Sequence, residues 1–319
     1  MKPWWTTERI LRLLTDLIAS KIGRFRPTLE RLQRSHDPIG AAIHIGTQSH
    51  ANVDAAVFDL DSLELVDLAQ TIEDRFHLEE AGLDGALLEQ RNLDDWVRIV
   101  LDGRARWDEE MSFETSGSTG RPKLCTHRMS ALEQEVGCMA DRFADRSRVL
   151  CGVPCHHIYG FLFGLMLPAR LDIPMRDVRD SLPSSVLKRA RSGDLIVANP
   201  AFFDMATRRS LGIAPGVTLL TSTSTCPPNL WRRLLESRAE RVVEIYGSTE
   251  NGGIGTRESS HNPFALLPYW SRLAGYEDRL IRAMPDARPQ PTALQDRLRW
   301  IDDTRFEVLE RRDGPAHRS

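Results

Sequence analysis

The stretch TSGSTGRPK, residues 115–123, constrains this 319-residue chain more than any other segment. Six of its nine residues are Gly, Ser or Thr, and it closes with a Pro-Lys pair. Glycines let the backbone approach an anion closely, and hydroxyls and free N–H groups then point into the concavity. Leu124 follows Lys123, so the stretch is not a Walker loop. It predicts a loop that binds phosphate, and a polar surface turn is the alternative.

Short apolar runs alternate with longer amphipathic stretches beyond this loop. The runs predict strands at 149–153, 195–198, 217–221 and 242–245, and the amphipathic stretches predict helices at 130–143 and 184–191. Strand–helix alternation with turn residues between the elements is typical of an α/β architecture with a largely parallel sheet.

A second motif follows the last of these strands, where the sequence reads YGSTE from Tyr246 to Glu250 and continues into a glycine cluster. Together the two motifs resemble the AMP-forming adenylating superfamily, which includes acyl-CoA synthetases, aryl-acid ligases and nonribosomal adenylation domains. The resemblance implies an α/β adenylating-enzyme core with ATP and Mg²⁺ as cofactors. It also implies that a carboxylic acid is converted to acyl-AMP and passed to a phosphopantetheine thiol on a carrier protein or on CoA.

The resemblance assigns roles to the residues of both motifs and of a later strand. The leaving phosphates are held by the loop residues Thr115, Ser116, Gly117, Ser118, Thr119, Gly120 and Lys123. The second motif supplies Tyr246 against adenine, then Gly247, Ser248, Thr249 on phosphate and Glu250 on Mg²⁺. In LQDRLRWIDDTRFEVLERRDG, Asp296 matches the aspartate that binds both ribose hydroxyls, and Arg311, fifteen residues later, matches a nucleotide-binding arginine. Leu294 and Gln295 replace the Thr-Gly that usually precedes this aspartate.

Three further segments resemble the family's pattern, one of them with a departure from it. PCHHIYGF, from Pro154, resembles its P-x-x-H-x-Y-G segment and places His157 beside the acyl group; a core histidine is the alternative. Amino-acid-activating relatives place an Asp near here to hold the substrate amine, and no Asp occurs between Cys151 and Arg170, so a plain carboxylic acid is expected. The HHIYGF segment is similar to that of ligases of aromatic-acid-primed pathways, which favours an aryl acid. Thr223 and Ser224 stand where glycines usually face adenine, which predicts a differently shaped adenine pocket. Phe202 and Phe203 either line the acyl site or pack in the core.

The residues ahead of the loop form a strongly acidic stretch. Residues 51–103 hold fourteen acidic and three basic side chains, a net charge of −11 in a chain of net charge −3. This asymmetry predicts two modules, 1–103 and 104–319. The stretch DLDSLELVDLAQTIEDRF resembles the second helix of an acyl carrier protein, whose Ser, here Ser62, carries phosphopantetheine. With helices predicted at 7–22 and near 92–101, the first module is expected to be a small all-α carrier-like module. Ser62 as a simple helix cap is the alternative.

Composition and cysteine usage limit the remaining classes of function. A net charge of −3 implies no attraction to nucleic acid, and neither a signal peptide nor a membrane span is expected, so we predict a cytoplasmic protein. Five cysteines form no paired framework. Cys151, Cys155, His156 and His157 suggest a zinc site, but two adjacent histidines point apart in an extended segment.

The family's small C-terminal lid, with its lysine that promotes adenylate formation, has no counterpart in the sequence, which stops at Ser319. A separate lid-bearing subunit, activity without a lid, or loss of activity are the three expectations. The hypothesis from the sequence is therefore an AMP-forming acid–thiol ligase, and its rival is a non-catalytic carrier or scaffold subunit with a vestigial nucleotide fold. The acid, the thiol acceptor and the oligomeric state stay undetermined by the sequence.

Overall fold

The structure is a computed structural model that describes residues 4–25, 62–90, 92–115, 123–208 and 212–311. In chain order the elements are α1 (Thr7–Phe25), α2 (Ser62–Phe76), α3 (Leu93–Arg106), β1 (Glu110–Glu114), β2 (Leu124–Arg128), α4 (Met129–Arg142), β3 (Arg148–Cys151), α5 (Ile158–Gly160), a π-helical segment (Phe161–Met166), α6 (Leu167–Leu171), β4 (Met175–Asp177), α7 (Pro183–Arg189), β5 (Asp194–Ala198), α8 (Pro200–Thr207), β6 (Thr218–Thr221), α9 (Pro228–Glu236), β7 (Arg241–Ser248), β8 (Gly252–Arg257), β9 (Phe264–Leu266), β10 (Trp270–Arg272), β11 (Arg279–Arg282), β12 (Gln290–Ala293), β13 (Asp296–Trp300) and β14 (Arg305–Arg311).

The chain divides into two compact units. Unit 1 falls within Met1–Met129 and Pro154–Phe161, and unit 2 within Ser130–Val153 and Leu162–Ser319. This division does not coincide with the boundary at residue 103 that the charge pattern predicts. That boundary stays a prediction.

Unit 1 combines the three long helices α1, α2 and α3 with a hairpin of β1 and β2. The predicted apolar stripe of α1 is buried, from Ile10 at 0% exposure to Ile22 at 2%, and the helix predicted there is confirmed. Helix α2 meets the hairpin where the Arg75 guanidinium lies 5.2 Å from the ring centre of Phe113. Because helices and hairpin share one unit, this unit is not all-α. A separate carrier-like module is not confirmed.

The main sheet lies in unit 2, and within the described residues it has nine strands in the order β13-β14-β9-β8-β7-β6-β5-β3-β4. From β4 to β7 the strands are parallel, as expected for apolar strands joined through helices. From β7 to β13 every pair is antiparallel. The four predicted strands are confirmed, but the sheet is mixed rather than largely parallel.

The core of unit 2 is built on the parallel half of the sheet. Strand β5 is buried at all five positions, and helices α7, α8 and α9 add apolar side chains such as Leu187, Phe203 and Trp231, each fully buried. Burying one such side chain stabilises the fold by roughly 1.5–3 kcal/mol. Phe202 and Phe203 both belong to this cluster, which favours packing as their role. Among the described helices, none has the length and apolar character needed to cross a membrane.

Candidate functional site

The predicted phosphate loop is the connection of the β1–β2 hairpin. Its two ends are tied together, because the Thr115 amide donates to the Lys123 carbonyl at 2.8 Å and the Lys123 amide donates to Thr115 Oγ1 at 3.1 Å. Lys123 itself is exposed. Ser116, Gly117, Ser118, Thr119 and Gly120 lie outside the described residues. The structure thus describes the two end residues of the loop, and phosphate binding stays a prediction.

In unit 2 the structure brings together two residues predicted to bind the nucleoside. The Tyr246 hydroxyl donates to Asp296 Oδ2 at 2.8 Å, although 50 positions separate them. The Tyr246 ring packs against Phe264 and Phe306, with ring centres 5.7 and 5.5 Å away. The β13–β14 register also sets Asp296 opposite Arg311, whose side chain lies outside the described part of the chain. A side-chain hydrogen bond thus joins Tyr246 on β7 to Asp296 on β13, and the backbone of Arg311 lies opposite Asp296.

The predicted metal ligand lies in the turn that joins β7 to β8. Thr249 and Glu250 are both half-buried there, and Gln295 Nε2 donates to Glu250 Oε1 at 2.8 Å. In proteins Mg²⁺ usually takes one or two carboxylates together with substrate phosphates and waters. A single half-exposed carboxylate fits an ion that arrives with its nucleotide. Glu250 is thus suited to the role predicted for it.

A buried carboxylate holds the backbone directly after Glu250. Both oxygens of Glu135, on α4, accept from the Gly253 amide at 3.0 Å. The Gly253 carbonyl in turn accepts from the Tyr269 hydroxyl at 3.0 Å and from Trp270 Nε1 at 2.8 Å. We call Glu135, Gly253, Tyr269, Trp270 and Arg282 the Glu135 clamp. Both polar groups of the Gly253 peptide are satisfied, so this part of β8 is fixed in the interior.

The charge of Glu135 is matched by Arg282, which is 6% exposed. Arg282 donates to the carbonyls of Asn251 at 3.1 Å and Ala131 at 2.7 Å, and lies over the rings of Tyr269 and Trp270 at 4.8 and 5.4 Å. Burial raises the pKa of Glu135, and the facing charge of Arg282 offsets part of that effect. The clamp therefore ties residues 251–253 to helix α4.

Sequence reasoning missed Glu135, although a signal was present. In α4 the buried apolar residues Leu132, Val136 and Met139 recur at helical spacing, and Glu135 falls on the same stripe, one turn after Ala131. A carboxylate on a buried stripe needs a partner, because an unpaired buried charge is costly. That pattern alone predicts a buried polar contact. It does not say that the partner lies in the motif at Glu250.

The segment predicted to face adenine follows β6. Thr223 has φ 79°, in the left-handed region that glycine adopts freely and a β-branched residue rarely does. The backbone therefore takes the conformation expected of a glycine, although a threonine stands there. Buried contacts hold both flanks: Ser222 Oγ donates to the Ile245 carbonyl at 3.0 Å, and the Cys226 amide donates to Glu244 Oε1 at 2.7 Å.

Replacing Thr223 by glycine is expected to stabilise the protein. Thr223 is exposed, so little packing is lost, and the cost of its left-handed backbone disappears. The expected gain in the free energy of unfolding is about 1 kcal/mol after the extra chain entropy of glycine, measured by urea denaturation. Thr225→Gly is the matched control, since Thr225 is exposed and lies outside the left-handed region. Equal losses in both variants would contradict the strain at Thr223.

The histidine segment belongs to unit 1 and forms a turn. His157 is exposed at the residue before α5, which excludes the core-histidine alternative. His156 and His157 were expected to point apart only if their segment is extended; residues 155–156 instead form a turn, and the two ring centres lie 4.1 Å apart. In the part of the chain that the structure describes, no group of three or more His, Cys, Asp or Glu residues is arranged to hold a metal ion, so the zinc alternative gains no support.

Ser62 is the first residue of α2 and is exposed. Its neighbours Leu63 and Val66 are 83% and 50% exposed, so one side of the helix start carries apolar side chains in solvent. The preceding Asp61 lies outside the described residues. An exposed hydroxyl at a helix start is what covalent attachment requires, and attachment of phosphopantetheine stays a prediction.

Comparison with known proteins gives the family. Residues 111–272, just over half of the chain, match the family described as AMP-binding enzyme. A 4-coumarate–CoA ligase of Cereibacter sphaeroides is 33% identical over 323 residues, which cover 96% of this chain and 74% of the ligase.

Solved structures show the fold. ATP-bound MatB from Rhodopseudomonas palustris matches with a TM-score of 0.51 at 15% identity, over 63% of this chain and 47% of that one. The N-terminal domain of FACL13 from Mycobacterium tuberculosis, bound to an inhibitor, matches with a TM-score of 0.53 at 15% identity, over 67% of this chain and 66% of that domain. The chain thus spans about half the length of the first of these structures. Its α/β fold is that of the N-terminal domain of adenylating enzymes, and the chain belongs to the AMP-binding enzyme family.

Proposed function

We propose that this protein activates a carboxylic acid with ATP and transfers the acyl group to the thiol of CoA. A carboxylate oxygen attacks the α-phosphorus of ATP, the bond to the β-phosphate oxygen breaks, and pyrophosphate leaves. The thiol sulfur then attacks the acyl carbonyl carbon, its proton passes to solvent, and AMP leaves. The 4-coumarate–CoA ligases that resemble this chain over 96% of its length support both the reaction class and an aryl acid as the first substrate to test.

One observation carries the proposal: the hydrogen bond from Tyr246 to Asp296 at 2.8 Å. It joins, within one unit, the two residues that the sequence assigns to adenine and to ribose. Asp296 retains a second carboxylate oxygen, Oδ1, and two vicinal hydroxyls are suitable donors for a carboxylate. Glu250 lies four residues beyond Tyr246, where it would hold Mg²⁺ together with the nucleotide phosphates. When bound, the ion neutralises phosphate charge.

The test is exchange of labelled pyrophosphate into ATP, measured for the wild-type protein across a panel of aryl and aliphatic acids. Exchange with at least one acid is expected, and Glu250→Gln should lower it by about 100-fold because a preorganised electrostatic contact to the reacting phosphates is lost. Glu236→Gln is the matched control, since Glu236 is exposed in α9. Nucleotide binding without exchange for any acid would favour the non-catalytic scaffold.

The acceptor is tested separately. Formation of acyl-CoA from CoA and the active acid supports the proposal. After coexpression with a phosphopantetheinyl transferase, an intact-mass increase that Ser62→Ala removes would instead assign the thiol to this chain.

A lid supplied by another subunit is a further proposal. It would be supported if the isolated chain binds ATP but exchanges only when a lid-bearing partner is added.

A further inference from the structure

Glu244 is a carboxylate in the interior of unit 2. It is the fourth residue of β7, two positions before Tyr246, and only 2% of it is exposed. The strand registers set it opposite Thr221 at the end of β6 and opposite Arg257 at the end of β8. A buried charge without partners is costly, so the donors around this carboxylate show what it holds in place.

One oxygen of Glu244 holds the loop that follows β6, residues 222–226. The Cys226 amide donates to Glu244 Oε1 at 2.7 Å, and both residues are buried. At the other end of the loop, Ser222 Oγ donates to the Ile245 carbonyl at 3.0 Å. The three residues between are exposed, and the first of them has the left-handed backbone described above. An exposed segment of three residues is therefore tied to β7 at both of its ends.

The other oxygen of Glu244 is held by Arg257 and Trp231. Arg257 Nε donates to Glu244 Oε2 at 2.7 Å, and Trp231 Nε1 donates to the same oxygen at 3.3 Å. The Arg257 guanidinium also lies 4.4 Å from the ring centre of Phe264, whose ring packs against Tyr246 at 5.7 Å. Because both oxygens accept from buried or nearly buried donors, the carboxylate has one fixed orientation.

These contacts reach two parts of the chain that the sequence analysis predicts to lie against adenine, namely Tyr246 and the loop with Thr223 and Ser224. A loop that is held in shape before its ligand arrives loses less entropy on binding. We propose that Glu244 is a positioning residue that holds loop 222–226 in the shape that favours adenine over a pyrimidine. This inference rests on the proposed function, because it assumes that the loop faces a nucleotide.

The test compares the wild-type protein with Glu244→Gln, measuring the Kd of ATP by calorimetry and the Kd of CTP by competition against ATP. Glutamine keeps the size, but its one acceptor oxygen cannot serve both the Cys226 amide and Arg257. We expect the Kd of ATP to rise about tenfold, as for loss of a hydrogen bond to a charged group. The Kd of CTP should change less than about twofold, because the ribose and the phosphates are the same. The preference for ATP over CTP therefore falls about tenfold.

A second variant keeps the inference testable if Glu244→Gln does not fold. Arg257→Lys retains the positive charge beside Glu244 but loses the planar guanidinium that donates through Nε. It should lower the preference for ATP in the same direction by a smaller factor. All variants are measured at a temperature where circular dichroism shows them folded.

Two control variants separate positioning from a general loss of stability. Glu236→Gln makes the same change at an exposed residue of α9. Val149→Ala removes buried volume on β3, which β5 separates from β6. Both controls should keep the wild-type preference for ATP within about twofold, although Val149→Ala lowers stability.

The outcomes distinguish this inference from the proposed function. An unchanged preference in the folded Glu244 and Arg257 variants, or an equal fall in Val149→Ala, overturns the inference alone. A wild-type protein that binds ATP and CTP equally well also overturns it, and leaves the proposed function standing. If the wild type binds neither nucleotide, the proposed function is overturned with it.

Discussion

Gly160→Ala is expected to lower the free energy of unfolding by about 3 kcal/mol, at the upper end of the range for overpacked interiors. A Cβ at this position would lie 2.0 Å from the Pro154 carbonyl oxygen and 2.7 Å from its carbon. These are backbone atoms, so no flexible side chain can move aside. The turn from Pro154 to Gly160 must open, and His157, which the turn carries, is displaced. Urea denaturation of the full chain measures the loss.

Gly137→Ala is the control for Gly160→Ala. A Cβ at Gly137 meets nothing within 4 Å, and the residue lies inside helix α4, where alanine is favoured. The control should be neutral or gain up to about 1 kcal/mol. If Gly160→Ala unfolds at the same urea concentration as Gly137→Ala, the close approach at Pro154 is wrong. If Gly160→Ala does not accumulate as folded protein while Gly137→Ala does, the predicted loss of stability is confirmed even though no unfolding midpoint can be measured.

Gly247→Ala is the second large effect, and it concerns the nucleotide motif directly. A Cβ there would lie 2.3 Å from the Gly252 carbonyl oxygen and 3.0 Å from the Gly253 Cα. Gly247 follows the register shift between β7 and β8, so the ends of both strands must separate. We expect a loss of about 2–3 kcal/mol in the free energy of unfolding. Under the proposed function, pyrophosphate exchange should fall about 100-fold, since small misplacements of reacting groups cost that much.

For activity, Gly247→Ala is compared with Gly137→Ala, which changes the same residue type in unit 2 away from the motif. Exchange and ATP binding are measured at a temperature where the variant is folded by circular dichroism. A variant that is destabilised yet exchanges at the wild-type rate would contradict the role of the β7–β8 turn in the site. An unaltered stability would contradict the packing at Gly252.

The parallel half of the sheet was predictable because its strands are fully buried. Strand β5 is apolar along nearly its whole length and is bounded by turn residues, which is a strong local signal. The antiparallel half was not predicted; strand β9, for example, has only three residues and cannot show alternation.

The candidate site was predicted from motif resemblance, and the structure adds the contacts. Asp296 and Arg311 are fifteen residues apart in the sequence and are paired across strands β13 and β14. This pairing agrees with the shared role in nucleotide binding that the resemblance implies. Gln295 was visible as a departure, but a side chain's partner across 45 residues cannot be derived from its type. Nucleotide, metal and acyl binding stay predictions for all of these residues. The left-handed backbone at Thr223 shows that a glycine conformation can persist after the glycine is replaced.

Strand β7 borders a parallel neighbour on one side and an antiparallel neighbour on the other. The parallel border forms only after the chain has crossed over through α9, whereas the antiparallel border closes through the short turn at residues 249–251. Closing a short loop costs less entropy than closing a long one, so the two borders form at different stages of folding. We therefore expect the β7–β8 border to form ahead of the β6–β7 border as the chain folds, so that the end of β7 that carries the motif is set early.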